Sequence, residues 1–172
     1  MLMRMRRVRY FVACSLDGFL ARLNGDVDWL LTDQDYGMSA FFSTVDVAVM
    51  GRKTYDKARE MGQESFAGME TFVFCHAPAE SNKVKFVSGD VLEWLHEIRL
   101  KPGKDIWLVG GGDLVKQFLA ARAIDEIALT IHPLLLGSGL PVIPIPFPET
   151  ELELLEITPY DTGLVQLLYQ VV

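Results

Sequence analysis

Two glycine turns hold the residues best suited to chemistry. In the first, the apolar run Ile106-Trp107-Leu108-Val109 stops at Gly110-Gly111-Gly112, and a helical pattern opens at once with Asp113 and Leu114. Glycine lets backbone approach a ligand closely, and the unpaired N–H groups at a helix start favour negative charge. In the second, Val45 to Met50 ends at Gly51-Arg52-Lys53-Thr54, which adds two cations and a hydroxyl suited to phosphate. Asp17-Gly18 closes the run Val8 to Ser15, and Cys75-His76 closes the run that begins at Thr71. In an open parallel sheet, ligands sit beyond the C-terminal ends of the strands. If these strands are neighbours, the loops line one cleft for a phosphate-bearing cofactor. The plainer alternatives are a tight strand-to-helix turn with no ligand, solvated charges at Arg52 and Lys53, a surface His76, and Asp17 as a turn residue.

Several better-known chemistries do not fit. The glycine run is not a dinucleotide fingerprint, because Val115 stands where the third glycine belongs, and no GxxxxGK[ST] phosphate loop is present. Gly137-x-Gly139 is followed by Pro141 rather than a helix, and there is no GxSxG nucleophile turn. His76, His96 and His132 are far apart with no ligand spacing, so no metal site is expected. Cys14 and Cys75 make neither a disulfide framework nor a zinc motif, which points to a reducing, cytoplasmic compartment.

The elements that must position these turns follow from periodicity and punctuation. Val8 to Ser15, Val45 to Met50, Thr71 to Cys75, Val84 to Val87 and Ile124 to His132 read as strands, with the run before Gly110 as another. Helices are expected over Gln34 to Ser43, capped by Thr32 or Asp33, over Thr54 to Met61, from the Asp90 cap to Leu100, and over Asp113 to Ala121. Leu134 to Pro148 reads as a loop. Leu152 to Thr158 and Leu164 to Val172 flank Asp161-Thr162-Gly163 as an antiparallel hairpin. Alternating strands and helices closed by a hairpin argue an α/β fold on a mostly parallel mixed sheet.

At 172 residues the chain suits a single domain, residues 1–172, with a sizeable core. A net charge of −7 argues against a nucleic-acid partner. The basic stretch Arg4, Arg6, Arg7, Arg9 precedes too short an apolar run for a signal peptide, and no segment nears the about 18 apolar residues of a membrane span. Small-molecule partners are expected, and the apolar Leu164 to Val172 suits a homodimer interface.

Four motifs occur in the order seen in the dihydrofolate-reductase-like superfamily: Ser15-Leu16-Asp17-Gly18-Phe19-Leu20-Ala21, Val49-Met50-Gly51-Arg52-Lys53-Thr54-Tyr55, Trp107 to Gly112, and His132-Pro133-Leu134-Leu135-Leu136-Gly137-Ser138-Gly139. The chain most resembles the branch typified by the reductase domain of bacterial riboflavin biosynthesis. That resemblance implies a three-layer fold with about eight strands and NADPH across the strand ends. It places Gly51, Arg52, Lys53 and Thr54 on the adenosine-side phosphates and Cys75 and His76 near the ribose. Gly110, Gly111 and Gly112, with Asp113 and Leu114 opening the helix behind them, would cradle the pyrophosphate, with a cis peptide between two of the glycines. It also implies hydride transfer to a small heterocyclic or carbonyl substrate, as in 5-amino-6-(5-phosphoribosylamino)uracil reductase or dihydrofolate reductase. Asp35 and Asp17 are the candidate acids for the accompanying proton, with a helix cap or dipole partner as the plainer role for Asp35 and holding substrate as the other role for Asp17. A nucleotide-binding module on the same fold, without catalysis, is the other reading.

Overall fold

A computed structural model describes residues 4–172. One sheet of eight strands runs through the molecule in the order β5-β4-β3-β6-β1-β7-β10-β9. Its strands are β1 Val8–Ser15, β3 Val45–Gly51, β4 Glu70–Phe74, β5 Lys85–Val87, β6 Asp105–Gly110, β7 Glu126–His132, β9 Leu152–Pro159 and β10 Val165–Val171. All neighbours from β5 across to β7 pair in parallel. β10 pairs antiparallel with β7, and β9 with β10. The central strands are apolar on both sides because both faces are covered, which is why they read as near-continuous hydrophobic runs.

Helices α1 Met38–Phe42 and α2 Arg52–Glu60 lie on one face. There Phe41 packs with Phe11, Ala48 and Trp107, and Tyr55 packs with Met50 and Val73. Helices α3 Val91–Arg99 and α4 Gly112–Ala120 cover the other face, where Trp94, Leu95 and Phe118 meet Tyr10, Val49, Ile106 and Leu108. This is the three-layer arrangement expected.

Two local expectations change. The helix over Gln34 to Ser43 is confined to Met38–Phe42, because Gly37 at φ +78° and Tyr36 at φ +49° take left-handed backbone that a continuing helix cannot contain. Asp33 therefore caps nothing and accepts a hydrogen bond from the Tyr36 hydroxyl at 2.6 Å. The loop Leu134 to Pro148 is not wholly irregular. Its Leu140–Pro141 (β8) pairs antiparallel with Phe19–Ala21 (β2) in a separate two-stranded sheet. Gly139 is required there, since a Cβ would run into the Ala21 carbonyl oxygen.

Candidate functional site

The strand order brings the two glycine turns together. β3 and β6 are adjacent, with Met50 opposite Gly110, so the turns leave the same edge side by side. A Cβ on Gly111 would lie 3.2 Å from Gly51 Cα, Gly51 N and Thr54 Oγ1. Gly111 also sits at φ +95° and Gly110 at φ +144°, so the run needs glycine for conformation as well as space. Each turn opens a nine-residue helix, α2 from the Gly51 cap and α4 from the Gly111 cap, and neither cap has a side-chain hydrogen bond. Two uncapped helix starts converge, and their partial positive charges add at one place.

Around that place, Arg52 Nε bonds Asp56 at 3.0 Å, and the guanidinium carbon lies 5.5 Å from the Phe86 ring centroid. That pairing leaves the outer guanidinium nitrogens for other acceptors. Lys53 is exposed on the first turn of α2, and Asp113 is exposed on the first turn of α4. Leu114 is buried against the core and holds the α4 start down. Pro144 comes over Gly112, where a Cβ would be 2.5 Å from Pro144 Cγ. This part of the wall could not be read from sequence, because it depends on where a distant loop returns.

Cys75 and His76 follow β4, the next strand outward. The Cys75 amide donates to the Val87 carbonyl at 2.9 Å, and His76 is exposed. Both therefore sit at the same edge as the turns. The peptide bonds within the glycine run are trans, contrary to the expectation from family resemblance, and Ile145–Pro146 is the one cis bond among the described residues.

The two acids have structural partners. Asp17 accepts from Ser15 Oγ at 2.6 Å, the Leu136 amide at 3.0 Å and the Gly137 amide at 2.7 Å. The Ser15 hydroxyl first, then the two amides, hold its carboxyl down at about 2. An acid so fully ionised is a staple joining the end of β1 to the loop after β7 rather than a proton source. Asp35 stands just ahead of α1, exposed, and accepts from the Ser39 amide at 3.1 Å and the Ser39 hydroxyl at 2.8 Å.

His132 was not among the site candidates drawn from sequence. It is buried at the end of β7, in register with Ser15. Burial lowers its pKa. The signal available in sequence was a histidine ending an apolar strand, which does not by itself distinguish a buried ring from an exposed one.

Two hollows lie elsewhere. One of about 370 Å³ sits between α1 and the hairpin, bounded by Phe11, Phe41 and Gln166. Another of about 320 Å³ lies among Arg4, Arg6, Arg7 and Lys104 at the opposite edge of the sheet. Neither touches the glycine turns. In the second, Arg4, Arg6 and Arg7 are paired with Asp46, Asp105 and Glu126, and Lys104 Nζ donates to the Ser43 carbonyl.

The paired helix starts, the touching glycines and Arg52 fit an extended, multiply charged phosphate ligand. The arrangement is that of a reductase fold. The RibD C-terminal domain family matches residues 6–166, and the chain belongs to it. It is 31% identical over 180 residues to the uncharacterised protein YyaP of Bacillus subtilis (strain 168), covering 97% of this chain and 96% of that one. Among solved structures it is similar to a Shewanella sp. PV-4 protein named for riboflavin biosynthesis, with TM-score 0.86 and 26% identity over 96% of this chain and 99% of that one. It shares its fold with Enterococcus faecalis dihydrofolate reductase, solved with NADP(H), at TM-score 0.72 and 19% identity over 96% of each chain.

Proposed function

We propose that this chain is an NADPH-dependent reductase that transfers hydride to a small heterocyclic or carbonyl substrate. The observation that carries this reading is the pair of uncapped helix starts, α2 and α4, meeting over Gly51 and Gly111 with Arg52 alongside. The backbone of Gly110, Gly111 and Gly112, with Asp113 and Leu114 opening α4, holds the pyrophosphate. Gly51, Arg52, Lys53 and Thr54 hold the adenosine-side phosphates, and Cys75 and His76 flank the ribose. NADPH, when bound, supplies the hydride. The protein's own work is to orient the two reactants and keep water from between them. Asp35 is the better of the two acids for the proton, because its carboxylate has a single partner residue while Asp17 is held by three donors. Titration of the protein with NADPH, followed by nucleotide fluorescence and by melting temperature, tests this. Saturable binding is expected, and no binding of either NADPH or NADH at millimolar concentration would sink the proposal.

A second reading keeps the cleft and drops the chemistry. It draws on the structural engagement of both acids, each of which already accepts hydrogen bonds from its own neighbours. It predicts tight cofactor binding with no turnover across pterins, ribityl pyrimidines and simple carbonyls. Stereospecific loss of labelled hydride to any of these eliminates it.

The chain as a single domain, its cytoplasmic setting and its homodimeric state belong to the same proposal. Leu164 to Val172 forms β10, which is paired on both sides by β7 and β9, so within the hairpin the dimer draws instead on the edge strand β9, where Leu152, Leu154, Leu155 and Ile157 are all exposed.

A further inference from the structure

We propose, resting on the reductase reading above, that Trp29 and His132 form the polar end of the substrate subsite and take the lactam edge of a flat heterocycle. Trp29 Nε1–H donates to the ring carbonyl, and His132 Nε2 accepts from the adjacent ring N–H.

Both atoms are buried and have no hydrogen-bond partner. The two rings stand edge to face, with centroids 5.1 Å apart and planes at 86°. A buried polar group without a partner costs free energy, and such groups are few in native structures. Trp94 Nε1 is also unpartnered, but it sits among Phe72, Phe74 and Phe118, where an N–H directed at an aromatic face is a sufficient account. Trp29 differs because its neighbour's own nitrogen is orphaned too.

The two orphans have opposite character. His132 Nδ1 lies 3.1 Å from the Thr130 carbonyl oxygen, which can only accept, so Nδ1 carries the proton and Nε2 presents a lone pair. The indole nitrogen can only donate. One donor beside one acceptor is the complement of an N–H next to a C=O in one ring.

The place is right for a hydride acceptor. His132 ends β7 beside Ser15 at the end of β1, on the edge from which the glycine turns project. One step inward on that sheet face, Ala13 pairs with Thr130 and is only partly buried, so the wall a ring would meet there is a small side chain. Trp29 belongs to a segment between β2 and α1 that has no helix or strand of its own. The exposed pair of Lys57 on α2 with Asp26 ties that segment down, and Arg22 pairs with Asp28 within it. The ligand enters as the segment lifts.

The test uses the full chain and 2-pyridone, a redox-inert lactam, with N-methyl-2-pyridone as the control that lacks the N–H. The chain has three tryptophans, so its indole N–H signals in a ¹⁵N-correlated NMR spectrum are few, and Trp29→Phe identifies the one that matters. Addition of 2-pyridone should move the Trp29 signal downfield and leave Trp94 and Trp107 in place. The N-methyl compound should bind about tenfold more weakly, the worth of one buried hydrogen bond. His132→Leu should weaken 2-pyridone by a similar factor and leave NADPH affinity unchanged. A Trp29 signal that stays put to the solubility limit of 2-pyridone, or that responds equally to both compounds, overturns the inference. If Trp29 responds and NADPH does not bind, the subsite stands and the reductase reading falls.

Discussion

Gly111 has no room for a side chain. Its φ of +95° and the 3.2 Å approach to Gly51 act together, so Gly111→Ala should lower stability by about 1–3 kcal/mol and abolish NADPH binding. Thermal denaturation and nucleotide fluorescence measure the two effects, and a variant that still binds NADPH normally would argue against the pyrophosphate cradle. Arg52 offers a different kind of loss. With its outer guanidinium nitrogens free of Asp56, Arg52→Ala should cost one charge-assisted contact, about 1.5–3 kcal/mol, on NADPH and much less on NADH. Equal weakening of the two nucleotides would place Arg52 away from the extra phosphate. Asp17 makes a prediction about pH. Its folded pKa of about 2 lies below the unfolded value near 4. The stabilisation is therefore fully present above about pH 4 and is lost as pH falls towards about 2. Wild-type protein should lose more stability than Asp17→Asn across that window in urea melts. Parallel curves for the two proteins would show that the loop staple contributes nothing.

At the level of elements, how much was legible depended on how local the cause was. β1 was read to the residue because an apolar run flanked by arginines and Leu-Asp-Gly has no competing pattern. α3 was legible because Asp90 both precedes the apolar stripe and accepts from the Leu92 amide at 2.7 Å. α1 was overextended because the aromatic stripe at Phe41 and Phe42 suggested more helix than Gly37 permits. The β2–β8 pairing and the approach of Pro144 to Gly112 were invisible, since each depends on where the aperiodic loop after β7 returns, and the first joins segments more than a hundred residues apart. In the site, the glycine turns were legible from residue type alone. The pairing of Trp29 with His132 was not, because nothing in either run points to the other. The start of the sheet shows the same non-local logic. Arg7 bridges the buried carboxylates of Asp105 on β6 and Glu126 on β7, although Arg4 and Arg9 also reach one each. Because those neighbours share the compensation and Arg7 is partly exposed, Arg7→Met should cost about 2 kcal/mol, less than the loss of an isolated buried pair. A chemical denaturation curve indistinguishable from wild type would show that Arg4 and Arg9 suffice.

For the whole molecule, β9 decides what a single copy can be. Leu154 and Ile157 are 46% and 55% exposed on a strand with one free edge, opposite Tyr169 and Leu167 of β10. A long apolar edge is an invitation to pair with another chain. If the homodimer forms there, Leu154→Lys with Ile157→Lys should shift the protein from dimer to monomer in sedimentation velocity and leave NADPH binding intact. A wild-type monomer at micromolar concentration would remove this interface from consideration.

The strand order also has a consequence for how the protein is made. Among the described strands β1 is synthesised before the others, yet its neighbours in the sheet are β6 and β7, which begin at Asp105 and Glu126. A nascent chain that has emerged only through α3 holds β1 with neither neighbour, while β3, β4 and β5 already have one another. Val8, Tyr10 and Cys14 must wait exposed, or be shielded by a chaperone, until β6 slides between β3 and β1. Such long-range closure is slow and open to misassembly. Ribosome-arrested chains ending at Arg99 should leave β1 sensitive to protease, and those extended well past His132 should protect it, so the polypeptide commits to its fold late in translation.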